Sequence, residues 1–349
     1  MQILIPYPLK HTCTLCGCSC MAQLVGPLSE TEKSHIADAQ NALASSHDLP
    51  PTLNPLMKGV KPDGSCLYFL NFPQKSCCFL DKSSKCMIHS QFGALKKPAA
   101  CRRFPRIAIR TENDLRVAIK PYCYANYTVC DLQACDGLYE TYHRDDEMRP
   151  ILDDLLENAA FRPIIQSKDP DECQRAQTQE REILAWLSHE KICAAELFPA
   201  LVCGAREKRD KLPKPFIQDV QRTFQQIAPT VASIAQSLGP SAYAKHVETL
   251  AQSLVHPIHA ELLDDKTFWN YARYALHNAV FLRETTRFPD LSIGTFALSL
   301  GALAASTHPD NAANLLTSWF RIFAQTKIFE TLFPGPQNWI ALTRHLATR

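Results

Sequence analysis

Glycine is scarce in this chain and never clustered. The eleven glycines come no closer together than Gly59 and Gly64, so there is neither a G-x-G-x-x-G turn nor a P-loop, and an ordinary nucleotide-binding fold is disfavoured. Charge of one sign is lacking too. A formal net charge of +2 excludes a general nucleic-acid or membrane-surface role, which calls for a strongly basic domain. The local exception is Lys96 to Arg110, with six cations and no acid. No apolar run approaches the roughly twenty residues that span a bilayer. The first ten residues carry no charged leader followed by an apolar stretch and a small-residue cleavage site, so the expected location is the cytoplasm. Also missing are a C-x-x-C-H haem attachment, the C-x3-C-x2-C pattern of radical S-adenosylmethionine enzymes, and any arrangement of Ser, His and Asp or of paired carboxylates that supports hydrolysis.

Cysteine is what the chain has in excess. Twelve of its fifteen cysteines lie between Cys13 and Cys135. They open with Cys13, Cys16, Cys18 and Cys20, continue through Cys66, Cys77, Cys78, Cys86 and Cys101, and close with Cys123, Cys130 and Cys135. Short spacings let one turn present two or three thiolates to a single centre, and thiolates are soft, strongly donating ligands for zinc or an iron-sulfur cluster. Disulfides are the first alternative. The odd total and the crowding of the first four cysteines oppose complete pairing. Inert buried thiols are the second alternative, and that reading suits Cys173, Cys193 and Cys203, which are scattered through helical sequence.

Composition changes near residue 140. Before it, Pro, Gly, Cys and polar turns dominate, interrupted by one helix signal. Ser29-Glu-Thr-Glu32 reads as a capping box ahead of Ile36, Ala39 and Leu43, which recur on one helical face. Ile107, Ile109, Leu115, Val117 and Ile119 suggest a hairpin around Asn113-Asp114. After residue 145, helical periodicity recurs at about 147–161, 171–190, 215–238, 241–255, 265–286, 291–306, 310–331 and 336–347. The expected fold is mainly α: an irregular cysteine-rich metal-binding domain over residues 1–140, packed on an α-helical domain over residues 141–349.

Within the cysteine region, Cys13-x2-Cys16-x3-Cys20 is followed by Cys78-Phe-Leu, by Cys86-Met-Ile-His89, and by Lys97-Pro98-x2-Cys101-Arg102-x-Phe104-Pro105. This succession resembles the zinc- or iron-chelating cysteine-cluster (CxxCxxCC) family. Met21 stands where that family has a fourth clustered cysteine, and Cys18 is an addition. The resemblance implies metal ligands among Cys13, Cys16, Cys20, Cys78, Cys86, Cys101 and Cys123, holding a 4Fe-4S cluster or zinc. Cys18, Cys66, Cys77, Cys130 and Cys135 have no assigned role. His89 is open between a ligand and a hydrogen-bond partner of one.

The segment Phe268-Trp-Asn-Tyr271-Ala-Arg-Tyr274-Ala-Leu-His277-Asn278-Ala-Val-Phe281 looks like an aromatic helix of the flagellin lysine-N-methylase branch, although aromatic core at helical spacing reads equally well. That branch implies methyl transfer from S-adenosylmethionine to a lysine of a protein such as flagellin. Arg102 is then the cofactor-binding candidate, with Lys97, Arg103 and Arg106 compensating an anionic cluster; a purely structural charge balance is the other role open to them. No catalytic residue is identified. The competing functions are a non-enzymatic metal-binding or redox-sensing interaction module and a structural zinc protein.

Overall fold

Alternation along Arg106-Ile-Ala-Ile-Arg110 and Asp114-Leu-Arg-Val-Ala-Ile119 sends successive side chains to opposite faces, and both runs are strands. The structure is a computed structural model that describes residues 1–9, 11, 13, 16–20, 25–45, 53–73, 76–123, 137–165, 167–188, 212–287 and 291–323. In chain order the strands are β1 (Gln2–Leu4), β2 (Leu56–Val60), β3 (Cys66–Leu70), β4 (Arg106–Arg110), β5 (Asp114–Ile119) and β6 (Ala160–Phe161). The helices are α1 (Glu30–Ser45), α2 (Met87–Phe92), α3 (Ala99–Arg103), α4 (Leu138–His143), α5 (Arg149–Glu157), α6 (Pro170–Ser188), α7 (Lys214–Ser237), α8 (Ala242–Ser253), α9 (Lys266–Phe281), α10 (Leu291–Ser306) and α11 (Ala312–Phe323). Helix is the dominant element, and it fills the C-terminal region. Among the described residues no helix is long and apolar enough to cross a membrane.

The chain divides into two compact units. The first comprises Met1–His11, Pro105–Ile234 and His246–Arg349; the second comprises Thr12–Phe104 and Ala235–Lys245. This division differs from the composition break near residue 140, and β1 supplies the reason. It runs parallel to β5, with Ile3 opposite Leu115, in a sheet of order β1-β5-β4-β6. The N-terminal strand and the 106–119 hairpin are therefore parts of one sheet in the first unit. A Thr111 turn closes the hairpin: its Oγ1 receives the Asn113 and Asp114 N–H groups and donates to Asp114 Oδ1 at 2.7 Å.

The alternation decides what covers each face of this sheet. Ala108, Val117 and Ile119 pack with Ile5, Leu9, Tyr142, Leu152 and Leu155, the last three from α4 and α5. Ile109 and Ala118, pointing the other way, meet Phe281 and Leu282 at the end of α9. Deeper in the helical region, α10 is apolar nearly all round and buried along most of its length. Gly301 is required there, because a Cβ would lie 2.7 Å from the Trp319 ring of α11.

In the second unit the capping box forms in both directions. The Ser29 N–H donates to Glu32 Oε2 at 2.8 Å, and the Glu32 N–H donates to Ser29 Oγ at 3.2 Å. The apolar stripe of α1, namely Ile36, Ala39 and Leu43, packs with Val25, Leu70, Cys78, Phe79, Met87 and Ile88. β2 and β3 pair as an antiparallel hairpin.

Candidate functional site

Four turns of the second unit bring Cys20, Cys77, Cys86 and Cys101 into one electrostatic neighbourhood. Cys20 closes a short 3-10 turn, its N–H bonded to the Gly17 carbonyl at 2.8 Å. Gly17 sits at φ +68°, and a Cβ there would come within 2.3 Å of the Ser84 carbonyl oxygen. Only glycine lets the first cysteine loop approach the 81–85 turn so closely. The Cys77 N–H donates to the Cys20 carbonyl at 3.1 Å, which joins the first cysteine segment to the second. Asp81 Oδ1 then accepts the Ser83 and Lys85 N–H groups and folds the chain back to Cys86, which pairs with Leu80 and begins α2.

Cys101 lies on α3, whose first N–H, that of Ala99, donates to Glu32 Oε1 at 2.7 Å. One carboxylate thus serves the N-termini of both α1 and α3.

The thiols repel one another's ionisation. Burial pushes the Cys20 pKa far up, and Cys77, Cys101 and Cys86 push it further. The Cys77 thiol's own hydrogen bond to Cys78, followed by burial, raises the Cys77 pKa well above its ordinary value. Burial raises Cys86, while N–H donation from His89 and Ile88 works the other way. Cys101 is pushed up to about 12 by burial and then by Cys77. One cation opposes all four shifts, because Lys97 lowers the pKa of each.

Protonated as they stand, these thiols accept no ion by geometry alone. Among the described residues no group of three or more His, Cys, Asp and Glu side chains has the arrangement to hold a metal ion. The fit to a metal therefore rests on donor chemistry: four sulfurs within electrostatic reach of one another, backbone N–H groups aimed at two of them, and a shared ammonium that favours the thiolate form.

Of the residues picked out from sequence, Cys20, Cys86 and Cys101 come together. Cys78 is 7% exposed within the apolar core and hydrogen-bonded to the Cys77 thiol, and Cys77 joins the other three in their electrostatic neighbourhood. Spacing carries no signal that Cys77 belongs with the other three. Cys13 is exposed and Cys16 half-buried, while Cys18 is buried with its thiol donating to the Cys16 carbonyl at 3.5 Å. Cys123 is buried in the first unit. Cys66 is exposed and shares a hydrogen bond with Lys58, and Cys173 donates to the Ser167 carbonyl at 3.5 Å. Cys130, Cys135, Cys193 and Cys203 lie outside the described residues.

Arg102, the cofactor-binding candidate, spends Nη1 on the Leu95 and Lys97 carbonyls at 3.1 and 2.9 Å. That contact fixes the loop carrying Lys97. His89 lies close enough to Lys97 for the ammonium, after burial, to lower its pKa; its Nδ1 is enclosed without a hydrogen-bond partner. Comparison of the chain with protein-family models, curated proteins and solved structures gave no match.

Proposed function

We propose that the protein binds a metal centre, a 4Fe-4S cluster or a zinc ion, through Cys20, Cys77, Cys86 and Cys101. The observation that supports this reading is the electrostatic coupling of four half-buried thiols to one another and to Lys97. Collecting four mutually repelling thiolates in one partly desolvated place is unfavourable until a cation neutralises them, and binding that cation becomes part of the folding free energy. A bound cluster supplies one-electron redox capacity or a cofactor anchor, whereas four-thiolate zinc is a closed structural site. Lys97 offsets the negative charge of either, and Arg102 holds the Lys97 loop. Free thiols destined for a metal suit a reducing compartment, which supports a cytoplasmic location.

The finer reading is transfer of a methyl group from S-adenosylmethionine to a lysine of a partner protein such as flagellin, and it rests on the family resemblance of the cysteine motifs. The electrostatics of the thiols support the metal centre and do not bear on the methyl transfer. A metal-dependent interaction module accommodates the same donor set.

Anaerobic purification with iron, acid-labile sulfide and zinc analysis tests the centre. Serine at Cys20, Cys77, Cys86 or Cys101 is expected to lower metal content, while Cys78→Ser and Cys173→Ala retain it. Retention by Cys77→Ser together with loss by Cys78→Ser would overturn the ligand assignment. Zinc without sulfide would select the structural zinc protein. Calorimetric titration of S-adenosylmethionine into metal-replete protein then separates a methylase, which binds it, from an interaction module, which does not.

A further inference from the structure

The buried arginines of the first unit are treated unequally. Arg116 and Arg283 both bond to Glu180, at 2.9 and 3.0 Å, and even the half-buried Arg162 bonds to Glu284 at 2.9 Å. Arg273, on α9, is 5% exposed and has no carboxylate partner among the described residues. Its Nη1 donates to the Leu187 carbonyl at 2.7 Å, and its Nε is enclosed with no acceptor. An unpaired charge in such a place is among the most costly features a core can carry, and it calls for a compensating partner.

One helical turn on and on the same face stands His277, 3% exposed. Its ring meets Tyr7 edge-on at 4.9 Å and stacks on Phe281 at 5.9 Å, and Nδ1 is enclosed without a partner. Burial first, then the charges of Arg273 and Arg116, hold the imidazole pKa down to about 3, so the ring is neutral at physiological pH. Tyr7 is 4% exposed and close enough to Arg273 for that charge to lower its pKa, against the larger effect of burial. Arg273 Nε–H and, in the appropriate tautomer, His277 Nδ1–H are thus donors without acceptors, beside a phenol and one fixed positive charge.

We infer that Arg273, His277 and Tyr7 form a binding site for the carboxylate group of a small monoanionic ligand. A single cation beside a neutral imidazole matches one negative charge; a phosphate dianion would leave net charge buried. The planar guanidinium and the two carboxylate oxygens are complementary in shape as well as charge. The site lies apart in sequence from the thiol cluster and does not depend on the metal-centre reading.

Sodium formate is the probe, titrated into the full-length protein at constant ionic strength against sodium chloride. A saturable rise in the unfolding midpoint is expected, ~3–6 °C at tenfold above the dissociation constant, together with broadening of the ¹³C-formate resonance. Arg273→Gln is expected to lose both effects, its midpoint converging on or exceeding that of the unmodified protein as formate is withdrawn. A merely structural arginine would instead show the same midpoint loss at every formate concentration. Absence of a saturable response in the unmodified protein overturns the proposal whether or not the variant folds, and an equal response to chloride overturns the carboxylate assignment.

Discussion

Glu180 accepts four hydrogen bonds from two arginines, and its removal has a calculable penalty. Its Oε1 receives Arg116 Nη1 and Arg283 Nε, each at 3.0 Å; its Oε2 receives Arg116 Nη2 at 2.9 Å and Arg283 Nη2 at 3.4 Å. The three side chains are 2%, 8% and 1% exposed respectively. Glu180→Gln keeps the shape but removes the charge, leaving Arg116 with Asp114 and Arg283 with Glu112. Breaking a buried ion pair by deleting one partner costs about 3–5 kcal/mol. The surviving carboxylates hold the loss toward the lower end of that range. For a unit of this size each kcal/mol lowers the midpoint by about 2–4 °C, so a fall of about 6–12 °C is expected by calorimetry. Asp219→Asn, which breaks the exposed pair with Arg222, is the control and should cost under about 1 kcal/mol. A Glu180→Gln loss no larger than the control's would refute the assignment of the Glu180 network as a buried ionic core.

Three further outcomes follow from the same structure. Gly17→Ala forces a Cβ against the Ser84 carbonyl at a positive φ; it should lower metal content and soluble yield together, read by metal analysis of the purified protein, whereas alanine at Gly64, where a Cβ meets nothing within 4 Å, should leave metal content unchanged. Glu32→Ala removes half of the capping box and the acceptor of the Ala99 N–H, so it should cost about 1–3 kcal/mol in denaturant unfolding and exceed Ser29→Ala, which costs about 1 kcal/mol. The third outcome concerns pH. His277 titrates near its ordinary 6.5 when unfolded and at about 3 when folded, so the unfolded chain binds the extra proton between those values. Its contribution to stability is fully present above pH 6.5 and is lost as pH falls toward 3, with a slope of up to ~1.4 kcal/mol per pH unit. Chemical unfolding of His277→Gln should show a flatter acid limb than the unmodified protein.

The helices were legible wherever an apolar stripe met a cap. The stripe and capping box at Ser29 locate α1, and the expected segments 171–190, 215–238 and 291–306 correspond to α6, α7 and α10. The 106–120 alternation became β4 and β5. β1 was not legible, because three residues show no period and its partner lies far along the chain. The same limit applies at the site. Motif spacing pointed to Cys86 and Cys101, but that Cys77 lies near them depends on the turn at 77–80 and on the Cys77 N–H to Cys20 carbonyl bond, which tertiary packing sets and spacing does not. Lys97 was one of several nearby cations in sequence; the loop held by Arg102 makes it the cation common to the four thiols.

The parallel pairing of Gln2 with Asp114 bears on the order of assembly during synthesis. Joining those ends across a loop of about 110 residues carries an entropic penalty of roughly 4 kcal/mol if the intervening chain is still random. Residues 12–104 leave the ribosome before β5 does, so the cysteine segment has time to condense while the N-terminal strand waits without its neighbour. A cysteine segment closed around the metal centre proposed above would shorten the effective loop and ease the pairing of β1. Scarcity of the ion would then slow maturation of the helical unit as well as the cysteine-bearing one, even though none of the clustered thiols belongs to it.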